Sequence, residues 1–460
     1  MPLPQTARTW TLGVIPDKIR TRYASCPEDD PRVGVLLADD PGHSVRIKNV
    51  NIHTSRHLPD HHPQEQPMHI RPRTAARATA LATVLTLALA LPAGALAVPA
   101  SAASSTSGPT TGKDTAPDAK ALRAALAGLP DGDATAALVR VGGTGGVWRG
   151  SAGVHDLATG RPADPNARFR VGSTTKAVTA AVVLQLAAEG EVDLGRPARH
   201  YLPDLIPSTY AHVTVRQLLN HTSGIPAAAG TGTTFEEWYA HRFDRHSPRA
   251  MVASATAEQP EFMPGTRQHY LNINYTVLGL LIERITGHSY EHETARRIFA
   301  PLRMRNTYFP GTDPDIRGPH NHGYQAVPRA DGTTEYRDVT VWGTTDSWAA
   351  GAMISTTADL ERFLTALFRG RVVPEPQLEE MFTVPADISD ATMSAGLERY
   401  VTDDGTELWL KSGGRWGYNA LIAATRDLSR TLVYSVNSTD AKGQGMNPVA
   451  ARVVRAAFTP

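Results

Sequence analysis

The sequence predicts an α/β fold: one sheet built from both chain ends, with a helical lobe beside it. Two strand-like regions, one between Ala137 and Gly153 and one after Ser394, enclose a stretch from Ser173 to about Gly370 whose apolar residues recur at helical spacing. Composition stays even from about Asp118 to Pro460, without a repeat or a second linker, so both strand sets belong to one unit. A sheet drawn from both ends leaves the central helices beside it as a second lobe.

The elements follow in order. The run DAKALRAALAGL from Asp118 has helical spacing, and Ala137–Val141 and Val147–Gly153 read as neighbouring strands joined through the glycine-rich piece 142–146. Helices are expected at Ser173–Glu189, at Asn274–Thr286 with Gly287 as its stop, and at Thr357–Phe368. Short strands return at Leu408–Lys411, Asn419–Thr425 and Thr431–Asn437, and Pro448–Phe458 closes the chain as an amphipathic helix.

The N-terminal quarter reads differently. From Met68 three arginines, Arg71, Arg73 and Arg77, precede an uncharged apolar run from Ala78 to Leu91 that stops at Pro92 and Gly94. That run is shorter than the roughly 20 residues a membrane-crossing helix needs, and small residues follow it, so 68–102 is expected to be a secretory signal peptide. Ala100-Ser101-Ala102 is the favoured cleavage triplet and Ala95-Leu96-Ala97 the second. Residues 103–117, rich in Ser, Thr, Gly and Pro, read as a linker before a domain at 118–460. A signal peptide works only near the start of a chain, so Met68 is expected to be the initiator and 1–67 an upstream extension without regular period. The alternative is a disordered cytoplasmic extension that turns the apolar run into a weak anchor.

The chain carries 46 basic and 45 acidic residues; without residues 1–102 these become 35 and 37, a net of −2. Nothing in that balance attracts a nucleic-acid backbone or an anionic membrane. The sole cysteine, Cys26, lies in the extension, so residues 103–460 have no disulfide, thiol nucleophile or lipid-attachment cysteine. No second long apolar run exists, and release to the extracellular space without a stable membrane anchor is expected.

Three short motifs carry chemistry. Arg168 to Lys176, RFRVGSTTK, sets Ser173 where a short strand turns into an apolar helix, with Lys176 three residues on and on the same helical face. Burial there favours a neutral lysine able to accept the serine proton. Tyr270-Leu271-Asn272 follows a Pro-Gly turn and precedes a helix: a phenol near two ammonium groups loses its proton more easily, and the Asn272 amide can hold a substrate carbonyl. In Leu408-Trp409-Leu410-Lys411-Ser412-Gly413-Gly414 a strand ending in Lys-Ser-Gly can line a cleft, with Lys411 as a fixed charge and backbone N–H groups turned to a reacting carbonyl. His288 with His292 and His320 with His322 lack a convincing third ligand, so no metal site is expected; Gly-x-Ser-x-Gly, His-Glu-x-x-His and dinucleotide glycine patterns are absent, and no cofactor is implied.

In this order the motifs resemble those of the penicillin-recognising serine hydrolases, in the branch that holds class C β-lactamases, secreted actinobacterial D-alanyl-D-alanine carboxypeptidases and related esterases. Segments such as VTVRQLLNHTSGIP, YLNINYTVLGLLIERITG and SWAAGAMISTTADLERFL extend the likeness over nearly all of 118–460. The resemblance implies the β-lactamase/transpeptidase-like α/β fold, an antiparallel sheet built from both chain ends and flanked by helices plus an all-helical lobe with the site between them, and a roster of roles. Ser173 would be the acylated nucleophile, Lys176 and Tyr270 the proton carriers, and Lys411 the held charge. Asn272, Ser412, Gly413, Gly414, Trp348 and Arg399 would touch substrate, with the N–H groups of Ser173 and Gly414 as oxyanion hole. Leu271 replaces the usual small residue, Ser412 the commoner threonine, and Lys411 the histidine of the nearest carboxypeptidases. His221, in the HTSG segment, is expected to be a turn residue with a structural hydrogen bond.

The implied substrate is a small molecule or peptide: a peptidoglycan stem peptide, a β-lactam or an ester, handled by a monomer. D-alanyl-D-alanine carboxypeptidase activity leads, β-lactamase or esterase activity is the alternative, and a non-hydrolysing penicillin- or peptide-binding protein is the alternative of another class. An arginine after a Gly-Leu pair would clamp the substrate carboxylate in the carboxypeptidases. Here Glu398 follows Gly396-Leu397 and Arg399 comes one step later, so Arg399 fills the role only if the register shifts, helped by Arg415.

Overall fold

The structure, a computed structural model, describes residues 21–24, 35–38, 116–443 and 445–458. Thr21–Ala24 and Val35–Ala38 pair as antiparallel strands by themselves, in a stretch where the sequence shows no period. The expected signal peptide and the linker as far as residue 115 lie outside the described residues.

From residue 116 the chain first forms helix α1 (Ala119–Leu126), nucleated where the Asp118 carboxylate accepts the N–H groups of Lys120 and Ala121 at 2.8 and 3.0 Å. Strands β1 (Ala134–Gly142) and β2 (Trp148–Gly153) come next. Two long helices of the lobe follow, α2 (Thr175–Ala188) and α3 (Asn272–Thr286), and then α4 (Thr357–Phe368). Strands β3 (Glu398–Val401), β4 (Glu407–Arg415), β5 (Tyr418–Ala424) and β6 (Thr431–Ser438) lead to the last helix, α5 (Pro448–Phe458).

The six strands form one antiparallel sheet in the order β2-β1-β6-β5-β4-β3, so the last strand in sequence lies beside the first and the sheet is drawn from both ends of the domain, as expected. Alternation of side chains sorts the residues to two faces. Leu421 and Ala423 of β5 and Leu432, Tyr434 and Val436 of β6 pack with Leu122 and Leu126 of α1 and Val449 and Val453 of α5. The intervening Ala420, Ile422, Ala424 and Val433 face the other way and join Phe363, Leu364 and Leu367 of α4 in the main core.

That core also contains α2 and α3. Eleven of the 14 residues of α2 are buried, and Ile273–Ile282 of α3 are buried without a break, so these helices have no solvent stripe and serve as the axis of the lobe. α3 ends at Gly287, whose φ of 70° is the left-handed C-terminal stop the sequence signals. α4 and α5 match their expected bounds; α2 starts later than expected because Gly172–Thr174 form one tight 3₁₀ turn.

One strand differs more. β4 does not end at Lys-Ser-Gly but runs on to Arg415 and turns through Trp416-Gly417 into β5. The two glycines are explained by what crosses them: a Cβ on Gly413 would stand 2.0 Å from the Val171 carbonyl oxygen, and one on Gly172, at φ 53°, would stand 2.7 Å from the Gly414 nitrogen. Backbone thus lies on backbone where the 3₁₀ turn meets β4, a contact only glycine permits.

Candidate active site

Four elements converge at that contact. The 3₁₀ turn presents Ser173 just before α2, the first turn of α2 carries Lys176, and the extended Leu271 feeds Tyr270 and Asn272 into the start of α3. β4 supplies Lys411. Lys176 is fully buried, and its Nζ lies 3.1 Å from Ser173 Oγ, 2.7 Å from Asn272 Oδ1 and 2.8 Å from the Ala350 carbonyl oxygen. Three acceptors match the three N–H bonds of an ammonium.

Burial, and secondarily the neighbouring Lys411, lowers the Lys176 pKa to about 8, an effect Tyr270 partly opposes. The expectation of a neutral lysine is therefore met only in part: the ammonium persists at neutral pH. Tyr270 compensates. Burial alone would raise its phenol, but the charges of Lys176 and Lys411 outweigh that and bring it down to about 7. The Lys176 and Lys411 ammonium groups stand 4.9 and 4.7 Å from the Tyr270 ring centre, and the buried hydroxyl faces Ser173 and Lys176 without reaching hydrogen-bond geometry with either. A phenolate and an ammonium flanking a serine hydroxyl can take and return a proton.

Support for this group comes from residues whose sequence gives a weaker signal. His221, held at φ 62°, packs its ring 4.5 Å from that of Tyr270. Its Nδ1 accepts from the Asn274 amide at 3.2 Å and from the Leu271 N–H at 3.4 Å, and burial keeps its pKa well below 6.5, so it stays neutral. It is the hydrogen-bonded turn residue the HTSG segment implies, and it braces Tyr270 as well. The Ala350 carbonyl has no sequence signal, because any residue could provide it.

Not every expected site residue comes to the site. The Trp348 ring packs on Gly279 of α3 and 5.3 Å from Tyr290, and its indole N–H donates to Glu291 at 2.7 Å, so its side chain serves the lobe and not a substrate. Ser412 is exposed and lines a cavity of about 760 Å³ on the α5 face of the sheet, together with Leu410, Leu421, Val454 and Phe458. Arg399 lies opposite Trp409, on the strand face shared with Lys411, and Glu398 on the reverse, so the arginine has the register the carboxylate clamp needs. Its Nε is nevertheless bound by Glu407 at 2.5 Å, farther along the strand from Lys411. Arg415 cannot assist either: its Nη atoms hold Asp346 at 2.8 and 3.0 Å.

Gly413 and Gly414 are in place under the 3₁₀ turn. A two-residue loop closes the β4–β5 hairpin on the pair Arg415 and Tyr418, and pairs alternate from there; Gly414, opposite Asn419, therefore turns its N–H and C=O away from β5 to the free edge. β3 reaches only as far as Leu410 on that edge. An oxyanion hole from the N–H groups of Ser173 and Gly414 is compatible with this placement. Among the described residues no helix is long and apolar enough to cross a membrane.

The family model Beta-lactamase matches residues 119–455. The chain is 26% identical over 307 residues to penicillin-binding protein 4* of Bacillus subtilis, covering 64% of this chain and 66% of that one. It is 30% identical over 194 residues to esterase EstB of Burkholderia gladioli, covering 40% of this chain and 48% of the other. The chain thus spans about half to two thirds of these curated relatives. Among solved structures, a D-stereospecific amidohydrolase from a Streptomyces species superposes with a TM-score of 0.65 at 33% identity, covering 75% of this chain and 99% of that one.

Proposed function

The chain belongs to the Beta-lactamase family, and on that premise we propose that it is a serine hydrolase that forms an acyl-enzyme on Ser173 from amides or esters of D-configured acyl donors. The observation that carries the reading is the Lys176 ammonium, bound at once to Ser173, Asn272 and Ala350 beside a phenol brought down to about 7. The charges of Lys176 and Lys411 favour the Tyr270 phenolate, and the phenolate in turn favours the Lys176 ammonium. The Ser173 proton passes to Tyr270 while Lys176 steadies Oγ, and catalytic hydrogen bonds of this kind tighten once substrate is bound. The Oγ–carbon bond forms, the oxyanion rests on the N–H groups of Ser173 and Gly414, and the leaving amine or alcohol departs with the proton from Tyr270. Water then attacks the acyl carbon, giving its proton to Tyr270. Ser173 Oγ leaves with a proton and the carboxylic acid is released.

D-alanyl-D-alanine-ended peptidoglycan peptide remains within this class of donor, and we place the activity outside the cell, in a monomer exported by a signal peptide from Met68. A reading as an esterase or amidase that ignores the terminal carboxylate is favoured by one observation: the arginine expected to clamp it, Arg399, is bound by Glu407. The test is kcat/KM for a D-Ala-D-Ala peptide, its C-terminal methyl ester, the L-configured counterparts and a penicillin. Turnover of D donors with L donors silent supports the proposal. A strong preference for the free acid supports carboxypeptidase; indifference supports esterase or amidase; a stable penicillin adduct without turnover of any donor supports a binding protein and overturns the proposal.

A further inference from the structure

We propose that Lys442 is a specificity-determining residue that selects acyl donors carrying negative charge near the acyl carbon and rejects those with a free α-ammonium; this rests on the acyl-enzyme reading above. Lys442 follows β6, on the glycine-containing loop that leads to α5, and its Nζ donates to the Gly414 carbonyl oxygen at 2.9 Å. The side chain is exposed and makes no ion pair among the described residues. Crowding by the surrounding protein lowers its pKa to about 8, with the charges of Arg415 and Lys176 acting in the same direction and Asp346 and Tyr270 opposing, so the ammonium persists at neutral pH.

Strand direction tells which part of a substrate it meets. Lys411 stands beside Tyr270, which in the acyl-enzyme reading hands the leaving group its proton, and Gly414, whose N–H would hold the oxyanion, lies three residues, about 10 Å, further along β4. A donor bound along the open edge therefore sets the groups on its acyl side against the Gly414 C=O, as an added strand would. An α-ammonium there would seek that carbonyl and find Lys442 already on it. Asp346, the carboxylate whose charge favours the Lys442 ammonium, is engaged by both Nη atoms of Arg415. A carboxylate carried on the α-nitrogen, by contrast, is drawn to Lys442.

The experiment compares kcat/KM for the methyl esters of D-alanine, N-acetyl-D-alanine and N-succinyl-D-alanine in the parent, Lys442→Met and Lys442→Arg. The parent is expected to favour the succinyl over the free-amine ester by about ten-fold or more, a size ordinary for one partly screened charge contact. Lys442→Met should bring that ratio to near one, lowering the succinyl ester and raising the free amine, and Lys442→Arg should restore it. Raising salt in the parent should shrink the same ratio, a reading that needs no variant. Turnover of the N-acetyl ester with a succinyl-to-amine ratio that neither Lys442→Met nor salt changes overturns this inference alone. Absence of any acyl-enzyme with all three esters overturns the acyl-enzyme reading and this inference with it.

Discussion

The first half of β4, Glu407–Leu410, is covered on its outer edge by β3, whereas the second half, Lys411–Arg415, leaves that edge open beside Ser173. In the covered half the side chains perform sheet work: Trp409 sits in the main core, and Glu407 ties β4 to Arg399 of its neighbour. In the open half the same strand offers a buried lysine, Lys411, and the backbone N–H of Gly414, whose C=O accepts from Lys442. One strand thus divides into a stabilising part and a reactive part according to whether a neighbour satisfies its edge. The difference teaches that distance along a strand does not decide which charges are available to a substrate; prior engagement does, as Arg399 and Lys442 show.

Substitutions in the two halves should break this contrast or sharpen it. The largest effect is expected for Lys176→Ala, opposite the open half: loss of the group that binds Ser173 should lower kcat for acylation by four orders of magnitude or more, by analogy with a serine and its base acting as one unit (~10⁶ in kcat). Adding Tyr270→Phe should cost little more, which single-turnover kinetics of the double variant would check. Gly414→Pro, which removes one N–H of the open edge, should raise the barrier by about 3 kcal/mol, or roughly 10²-fold in kcat, with a smaller change in KM.

Lys411→Met should act through the pH profile. Tyr270 must be ionised to accept the serine proton, and Lys411 favours the ionised form, so removing this charge raises the phenol pKa above about 7. The acid limb of kcat/KM should move up by about one pH unit, and activity at pH 7 should fall while that at pH 9 falls less. An unchanged limb would remove Lys411 from the ionisation of Tyr270. The smallest effect belongs to the covered half. Arg399→Ala breaks an exposed ion pair and should change stability in urea by roughly 0–1 kcal/mol, with no change in preference between a free-acid substrate and its methyl ester. A selective loss on the free acid would return Arg399 to the site.

The helices were legible because their evidence is local: α4 and α5 carry apolar residues at a single period, and Gly287 punctuates α3. Ser173, Lys176, Tyr270 and Lys411 were legible as motifs; the first two motifs sit where a helix begins, whereas Lys411-Ser412-Gly413 lies inside β4. What escaped depends on contacts distant in sequence. Gly413-Gly414 reads as a strand breaker, yet β4 continues through it because Val171 and Gly172 cross there. Trp348 sits on the segment that approaches Lys176 through Ala350, but a ring can leave its own backbone, and this one goes to α3. Nothing in Lys442-Gly443 announces a neighbour at Gly414, because the pairing arises from a loop folding back over a strand two elements earlier.

The central claim is an acyl-enzyme on Ser173, and intact-mass measurement of residues 103–460 within seconds of mixing with N-acetyl-D-alanine methyl ester or a penicillin tests it most directly. A mass increase equal to the acyl group, located by proteolysis on the peptide containing Ser173 and absent in Ser173→Ala with its fold retained by circular dichroism, is the result the account predicts. Hydrolysis that persists in Ser173→Ala, or an adduct carried by any other residue, would contradict it.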